Sequence, residues 1–342
     1  MTTYNGSVYL KQTIDAILEQ TFADFELLIV DDGSSDETLD IIRTYRDARI
    51  RCLVNARNLG ISASRNRALD EARGEFLAMT DQDDLSLPDR LAVQVQFLEQ
   101  HPEIDLVSTA VDFLRDGKRW RDPMRPLDRP CLVHMGLFFG RHNVTYSSVC
   151  VRQTFLRRHH LFFDPAFHYA EDLDLYLRIA QVGRMVTLSS SLVIYRRHAH
   201  NTSVRQYLDM SRHGRCVLAR AYRELLDRTL AEPEIERIWR VLVERHPATS
   251  LVELEQIAEV MTEVLTAFLK RAGMTEIECE ALRNFAAEIW WSVVAVSSRR
   301  RLGSAALRLF EQPAILGQYP PPWIERGAAW LRVLISNWRR IA

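Results

Sequence analysis

Phe25-Glu26-Leu27-Leu28-Ile29-Val30-Asp31-Asp32-Gly33-Ser34-Ser35-Asp36 decides how this chain folds. A short apolar run, stopped by two aspartates and a glycine, predicts a strand buried on both faces. Ile50 to Val54 and Glu75 to Thr80 follow the same pattern, and Asp105 to Phe113 is a further strand candidate. Helical periodicity fills the gaps, over about Val8 to Gln20, Glu37 to Tyr45, Ser62 to Ala72 and Pro88 to Gln100. Strands alternating with helices at this spacing need crossovers and therefore pair in parallel. The expected fold class is α/β, a mostly parallel sheet flanked by helices. In such a fold a strand should lead into Thr2-Thr3-Tyr4-Asn5, yet the sequence opens there. A truncated first strand is expected: either the strand is absent, or the start is placed too late.

Beyond residue 116 the pattern is mixed. Pro123, Pro126 and Pro130 punctuate a loop, Ser147 to Arg152 and Thr187 to Tyr195 read as strands, and Glu171 to Gln181 reads as a helix. From about Val204 the periodicity is helical. This divides the chain into an α/β domain over 1–204 and a helical C-terminal region over 205–342.

Composition narrows the function. Hydrophobic residues make up 47% and charged residues 26%, an ordinary globular balance that excludes a disordered chain. The 44 Lys and Arg nearly cancel the 45 Asp and Glu, so no whole-molecule electrostatic grip on nucleic acid is expected. Five scattered cysteines without a Cys-x-x-Cys pair predict free, buried thiols in a reducing compartment. No apolar signal core opens the chain, and no uncharged stretch reaches the roughly 18 residues of a spanning helix. The expected location is cytoplasmic, with room for a peripheral position on the inner membrane face.

Ligands of open parallel sheets bind at the carboxyl ends of the strands, and two acidic clusters stand there. In Asp31-Asp32-Gly33-Ser34-Ser35-Asp36, a carboxylate just past a buried strand can accept hydrogen bonds from a base or ribose, or can serve only as a turn and cap. In Thr80-Asp81-Gln82-Asp83-Asp84, three carboxylates within four residues repel one another unless a cation lies among them. Asp81 and Asp83 alternate on extended backbone and can face one hard divalent ion, Mg²⁺ or Mn²⁺. Glu171-Asp172-Leu173-Asp174 places acids in a first helical turn, where the macrodipole favours them and where one could act as a general base. Tyr195-Arg196-Arg197-His198-Ala199-His200-Asn201 could supply a cationic clamp and a metal-binding imidazole.

Taken in order, these pieces resemble the family 2 glycosyltransferases of the GT-A fold. The resemblance rests on Thr2-Thr3-Tyr4-Asn5-Gly6, Gln20-Thr21-Phe22-Ala23-Asp24-Phe25-Glu26-Leu27, the Asp31-Asp32-Gly33-Ser34 turn, Asn58-Leu59-Gly60 with Ala63-Ser64-Arg65-Asn66, the Asp81 to Asp84 cluster with Pro88-Asp89-Arg90, and Glu171-Asp172. It covers about residues 1–203. It implies an inverting enzyme that moves a sugar from a nucleotide-diphosphate donor to the hydroxyl of a glycan or lipid-linked acceptor, with Mg²⁺ or Mn²⁺, in polysaccharide, lipopolysaccharide or other glycan assembly. Carried over residue by residue, it implies that Thr2 and Tyr4 line the base pocket, that Asp32 bonds the base with Asp31 beside it, and that Arg65 lies near the nucleotide. Asp81 would contact ribose or metal waters, Asp83 would be the metal ligand with His198 a further one, and Asp172 would be the catalytic base. The alternative is a non-catalytic nucleotide-sugar-binding or scaffold protein on the same fold. A dehydrogenase is disfavoured, since no Gly-x-Gly-x-x-Gly follows a strand.

Trp323 to Ala342 carries Trp330, Leu331, Leu334, Ile335 and Trp338 at helical spacing beside Arg332, Arg339 and Arg340. Such a helix suits peripheral membrane contact, or packing on its own domain or on a second copy in a homo-oligomer.

Overall fold

A computed structural model describes residues 1–142, 144–302 and 305–306. Its first sheet is built around the stretch quoted above. Strands β1 (Thr2–Thr3), β2 (Leu27–Asp31) and β3 (Ile50–Val54) pair in parallel in that order. Helices α1 (Ser7–Leu18) and α2 (Thr38–Thr44) provide the crossovers, and α3 (Ile61–Glu71) leads out of β3 toward the second sheet. All of β2 is buried, as its lack of alternation predicts. Leu27 and Ile29, two apart and so on one face, pack with Leu10, Ile14 and Ile17 of α1 and Ile42 of α2. Leu10, Ile14 and Ile17 repeat at four and three residues, which makes one helical stripe.

The first strand is present as a two-residue piece. Thr2 lies opposite Val30 and Thr3 opposite Asp31. The Met1 ammonium donates to the Leu28 carbonyl oxygen at 2.9 Å. Burial pushes that amino group down to about 5.

The second sheet is mixed. Its strands are β4 (Phe76–Ala78), β5 (Leu85–Ser86), β6 (Leu106–Arg115), β7 (Lys118–Arg121), β8 (Cys150–Arg152) and β9 (Met185–Arg196). They run in the order β4-β8-β6-β9-β5, with β7 paired on β6. Only β6 and β9 are parallel neighbours here; β8 enters between β4 and β6 antiparallel to both. Parallel pairing therefore dominates the first sheet and not the second. Helices α4 (Arg90–Gln100), α5 (Pro130–Phe138), α6 (Gln153–Arg158) and α7 (Glu171–Val182) complete this part. The expected strand from Ser147 shortens to β8, because Tyr146–Ser148 form a 3-10 turn. Ser148 Oγ closes it by donating to the Thr145 carbonyl oxygen at 2.8 Å.

From Thr202 onward the described chain is helical: α8 (Thr202–Arg205), α9 (Tyr207–Leu226), α10 (Glu232–Ile238), α11 (Leu251–Leu269) and α12 (Glu276–Ser297). Ser250 and Thr275 cap α11 and α12 through the N–H groups of Glu253 and Glu278. The chain divides into two compact units, Met1–His134 with His142–Gly214, and Met135–Arg141 with the residues from Arg215 onward. Among the described residues no helix is long and apolar enough to cross a membrane. The basic aromatic segment 323–342 lies outside the described residues. All five cysteines are free, but only Cys150 is buried. Cys216 sits on the exposed side of α9, so the expectation of buried thiols fails there.

Candidate active site

The turn after β2 is held by its own side chains. Asp31 accepts from Thr3 Oγ1 at 3.1 Å, from Ser34 N at 3.0 Å and from Ser34 Oγ at 2.6 Å. Gly33 has φ +73°, and a Cβ there would stand 2.7 Å from the Arg57 carbonyl carbon. Asp32 is 4% exposed. Its carboxylate accepts from Asn55 Nδ2 at 2.7 Å, Leu59 N at 2.8 Å and Gly60 N at 2.9 Å. Gly60 is the residue that opens α3. A carboxylate offers about four acceptor positions, so Asp32 keeps about one for a ligand. Asp31 and Asp32 thus form the turn and anchor α3, whatever else they do. Thr2 is half-buried in β1, whereas Tyr4 is 46% exposed. The Tyr4 N–H donates to Gln82 Oε1 at 2.9 Å, which brings the chain opening against the second acidic cluster.

That cluster branches. Asp84 is buried, accepts from Arg196 N at 2.9 Å and is hydrogen-bonded to Ser147 Oγ. Burial, with the charges of Asp81 and Asp83, raises its carboxyl well above the usual range. Ser147 Oγ also donates to Asp81 Oδ2 at 3.1 Å. One hydroxyl hydrogen cannot serve both acids, and a protonated Asp84 donating to Ser147 resolves the conflict. Asp83 points the other way. Its Oδ2 lies 2.9 Å from His198 Nε2 and accepts from Asn201 Nδ2 at 3.1 Å. The His200 N–H donates to His198 Nδ1 at 3.2 Å, which leaves the ring proton on Nε2, facing Asp83. Tyr9 stacks on the His198 ring at 4.6 Å. Burial and the Asp81 charge raise the Asp83 carboxyl, against the pull of His198.

Arg65 joins the cluster to α7. It is 4% exposed. One terminal nitrogen donates to Asp81 Oδ1 at 3.1 Å and the other to Glu171 Oε1. Its guanidinium lies 3.4 Å from the centre of the Tyr146 ring. Burial alone would lower the Arg65 pKa, but Tyr146, Glu171, Asp81 and Asp172 raise it. Burial pushes Glu171 up to about 7, against the attraction of Arg65 and with the repulsion of Asp172. Asp172 is half-buried in the first turn of α7, and its Oδ1 accepts from Leu173 N at 2.8 Å. One turn on, the fully buried Tyr176 hydroxyl has no hydrogen-bond partner among the described residues. Burial and the Asp172 charge raise it well above the usual range.

The structure therefore links Asp81, Arg65 and the Glu171–Asp172 turn in one network, with Asp83 and His198 paired on a second branch of the same cluster. Asp32 connects to it through α3, at Leu59, Gly60 and, by way of Asn55, Ser64. Sequence reasoning missed Ser147 and Tyr146 as parts of this site; Ser147 lies 66 residues from Asp81, and nothing local marks it.

The family described as Glycosyl transferase family 2 matches residues 1–159. An uncharacterized glycosyltransferase of Methanocaldococcus jannaschii is 33% identical over 201 residues, covering 57% of this chain and 69% of that protein. The chain belongs to glycosyl transferase family 2. It spans 65% of a second glycosyltransferase relative, from Haemophilus influenzae. The Escherichia coli protein WfaP, named UDP-Glc:alpha-D-GlcNAc-diphosphoundecaprenol beta-1,3-glucosyltransferase, is 28% identical over 219 residues, covering 62% of this chain and 81% of WfaP. The crystal structure of Staphylococcus aureus TarS 1-349 in complex with UDP-GlcNAc aligns over 94% of this chain and 91% of that one, with a TM-score of 0.56 and 20% identity. That likeness shows the GT-A fold. The family 2 match covers the acids of both β-strand ends, Asp31 to Asp84, and stops short of Asp172 and His198.

Among the described residues no group of three or more His, Cys, Asp or Glu could hold a metal ion. The fit of a divalent ion to this family 2 site therefore rests on Asp83 and His198. One carboxylate and one imidazole 2.9 Å apart could hold an ion that takes its other ligands from phosphate and water, provided that the ion displaces the Nε2 proton now facing Asp83. The Asp83 carboxyl is raised first by burial and then by the charge of Asp81, and a bound cation would act against both.

Proposed function

We propose that this glycosyltransferase moves a sugar from a nucleoside-diphosphate donor to an acceptor hydroxyl with inversion at the anomeric carbon, and that it needs a divalent ion. The observation that carries the proposal is the hydrogen-bonded path from Asp81 through Arg65 to Glu171, which brings the Asp172 turn beside the Asp81 to Asp84 cluster.

Asp83 and His198 would hold Mg²⁺ or Mn²⁺, which supplies charge neutralisation for a departing diphosphate. Thr2, Tyr4, Asp31, Asp32 and Asp81 would line the nucleotide end, with Asp32 offering its remaining acceptor position to a base N–H. Asp172 would take the proton of the acceptor hydroxyl. Its Oδ1 is occupied by Leu173 N, and its Oδ2 has no hydrogen-bond partner among the described residues. A single base with direct attack opposite the leaving group gives inversion without a covalent intermediate. General-base catalysis of this kind contributes roughly 10²–10⁴-fold.

The acceptor is a glycan or a lipid-linked glycan; the name of WfaP, whose acceptor is a diphosphoundecaprenol-linked sugar, supports this reading. Polysaccharide or other glycan assembly at the cytoplasmic face of the membrane follows from such an acceptor. The test is a hydrolysis and transfer screen of nucleotide sugars with Mn²⁺, with the product anomer assigned by NMR. Inverted product from one donor class is expected. No turnover of any nucleotide sugar, or product of retained configuration, would refute the proposal.

A further inference from the structure

The resemblance places Arg65 near the nucleotide. Its surroundings give it other work. Each terminal nitrogen gives an N–H to a protein carboxylate, and Nε is buried without a hydrogen-bond partner among the described residues. The flat guanidinium rests on Tyr146, with Phe163 5.5 Å away. The side chain is only 5% exposed, with both ends of its fork on protein carboxylates, so it is poorly placed to meet a ligand arriving from solvent. Arg forms such two-ended contacts because its planar fork fixes the angle between them, which the point charge of Lys does not.

The helix that carries Arg65 makes the same connection twice more. Asn66 and Phe163 exchange two hydrogen bonds, both 2.8 Å, and Ser62 Oγ donates to the Phe167 carbonyl oxygen at 2.9 Å. Three residues of α3 thus hold the loop that leads into α7, while Asp32 holds the start of α3 through Leu59 and Gly60.

We propose that Arg65 is a positioning residue and not a nucleotide contact: it fixes the Glu171–Asp172 turn at a set distance from Asp81. This rests on the transferase reading above, in which Asp172 is the base and Asp81 serves the donor. Arg65 then acts on the rate of transfer through the placement of Asp172, and hardly on the affinity for the donor. Small misplacements of a reacting group can cost on the order of 10²-fold.

The experiment compares Arg65→Lys and Arg65→Met with the unaltered full chain. Donor binding is measured by calorimetry with the nucleotide sugar found in the screen, using UDP and GDP as probes if none turns over. Transfer is measured at saturating donor. The expected result is a donor Kd within about threefold for both variants. Transfer should fall roughly 10²-fold in Arg65→Met and less in Arg65→Lys. A Kd raised tenfold or more with transfer at saturation preserved would overturn the positioning role. If Arg65→Met does not fold, Arg65→Lys alone decides through the same split between Kd and rate. Where the unaltered chain turns over nothing, the transferase reading fails. The Kd values for UDP and GDP then still test Arg65, since a nucleotide contact would raise them and a positioning residue would not.

Discussion

Asp172→Asn separates chemistry from folding. The substitution removes one charge from the first turn of α7, where the helix dipole makes a carboxylate worth about 0.3–1 kcal/mol. It also removes the repulsion that raises Glu171 and Tyr176. These effects oppose each other, and an Asn carbonyl oxygen can keep the 2.8 Å contact with Leu173 N. The melting temperature should therefore move little. Transfer should not survive, because an amide cannot take the acceptor proton. Loss of a general base costs roughly 10²–10⁴-fold, or about 3–5 kcal/mol of barrier at about 1.4 kcal/mol per decade. The assay is kcat with saturating donor and acceptor, paired with calorimetric donor binding, which should be unchanged within about threefold. A variant that turns over within tenfold of the parent would remove Asp172 from its role.

Three further outcomes follow from the site and its frame. Chelator should stop turnover and Mn²⁺ restore it, and Asp83→Asn should raise the Mn²⁺ concentration for half-activation at least tenfold; full activity in excess chelator would contradict this. Gly33→Ala should lower stability by about 1–3 kcal/mol by thermal melting, since φ is +73° and the new Cβ would meet Arg57 backbone at 2.7 Å; an unchanged Tm would contradict it. Glu171 is pushed from 4.5 up to about 7 in the fold, so below pH 4.5 it is protonated in both states and contributes nothing. As pH rises toward 7 the unfolded chain ionises first, and stability falls by an amount on the order of 3 kcal/mol. Urea midpoints of Glu171→Gln should lack this decline between pH 4.5 and 7, and an identical slope in parent and variant would refute it.

In the first sheet β2 was legible because one physical signal, burial on both faces, dominates it, whereas β3 was legible from its apolar run although it is only partly buried. Ile50 to Val54 forms β3 over the very residues expected, and Leu27–Asp31 differs from expectation only at its ends. Hairpin strand β7 escaped notice because Lys118–Arg121 is wholly exposed and carries no apolar alternation. The signal was the turn: Asp116 and Gly117 both adopt positive φ, the conformation that Asp-Gly favours in two-residue hairpins. The mixed second sheet was not legible, since the entry of β8 between β4 and β6 depends on pairings between distant segments.

At the site, residue types were readable and their partners were not. Acids after buried strands stood out, but the hydrogen bonds that commit Asp31 and Asp32 to the turn and to α3 come from the folded backbone. Arg65 meets Asp81 and Glu171 from 16 and 106 residues away, so these two contacts could only be seen in three dimensions. Asp83 and His198, 115 residues apart, are brought together by the fold.

The account is tested most directly by a crystal structure of the chain with its nucleotide-sugar donor and Mn²⁺. The diphosphate should lie against Asp83 and His198, with Asp172 facing the anomeric carbon from the side opposite the leaving oxygen. A diphosphate bound elsewhere, or Asp172 on the leaving-group side of the sugar, would contradict it.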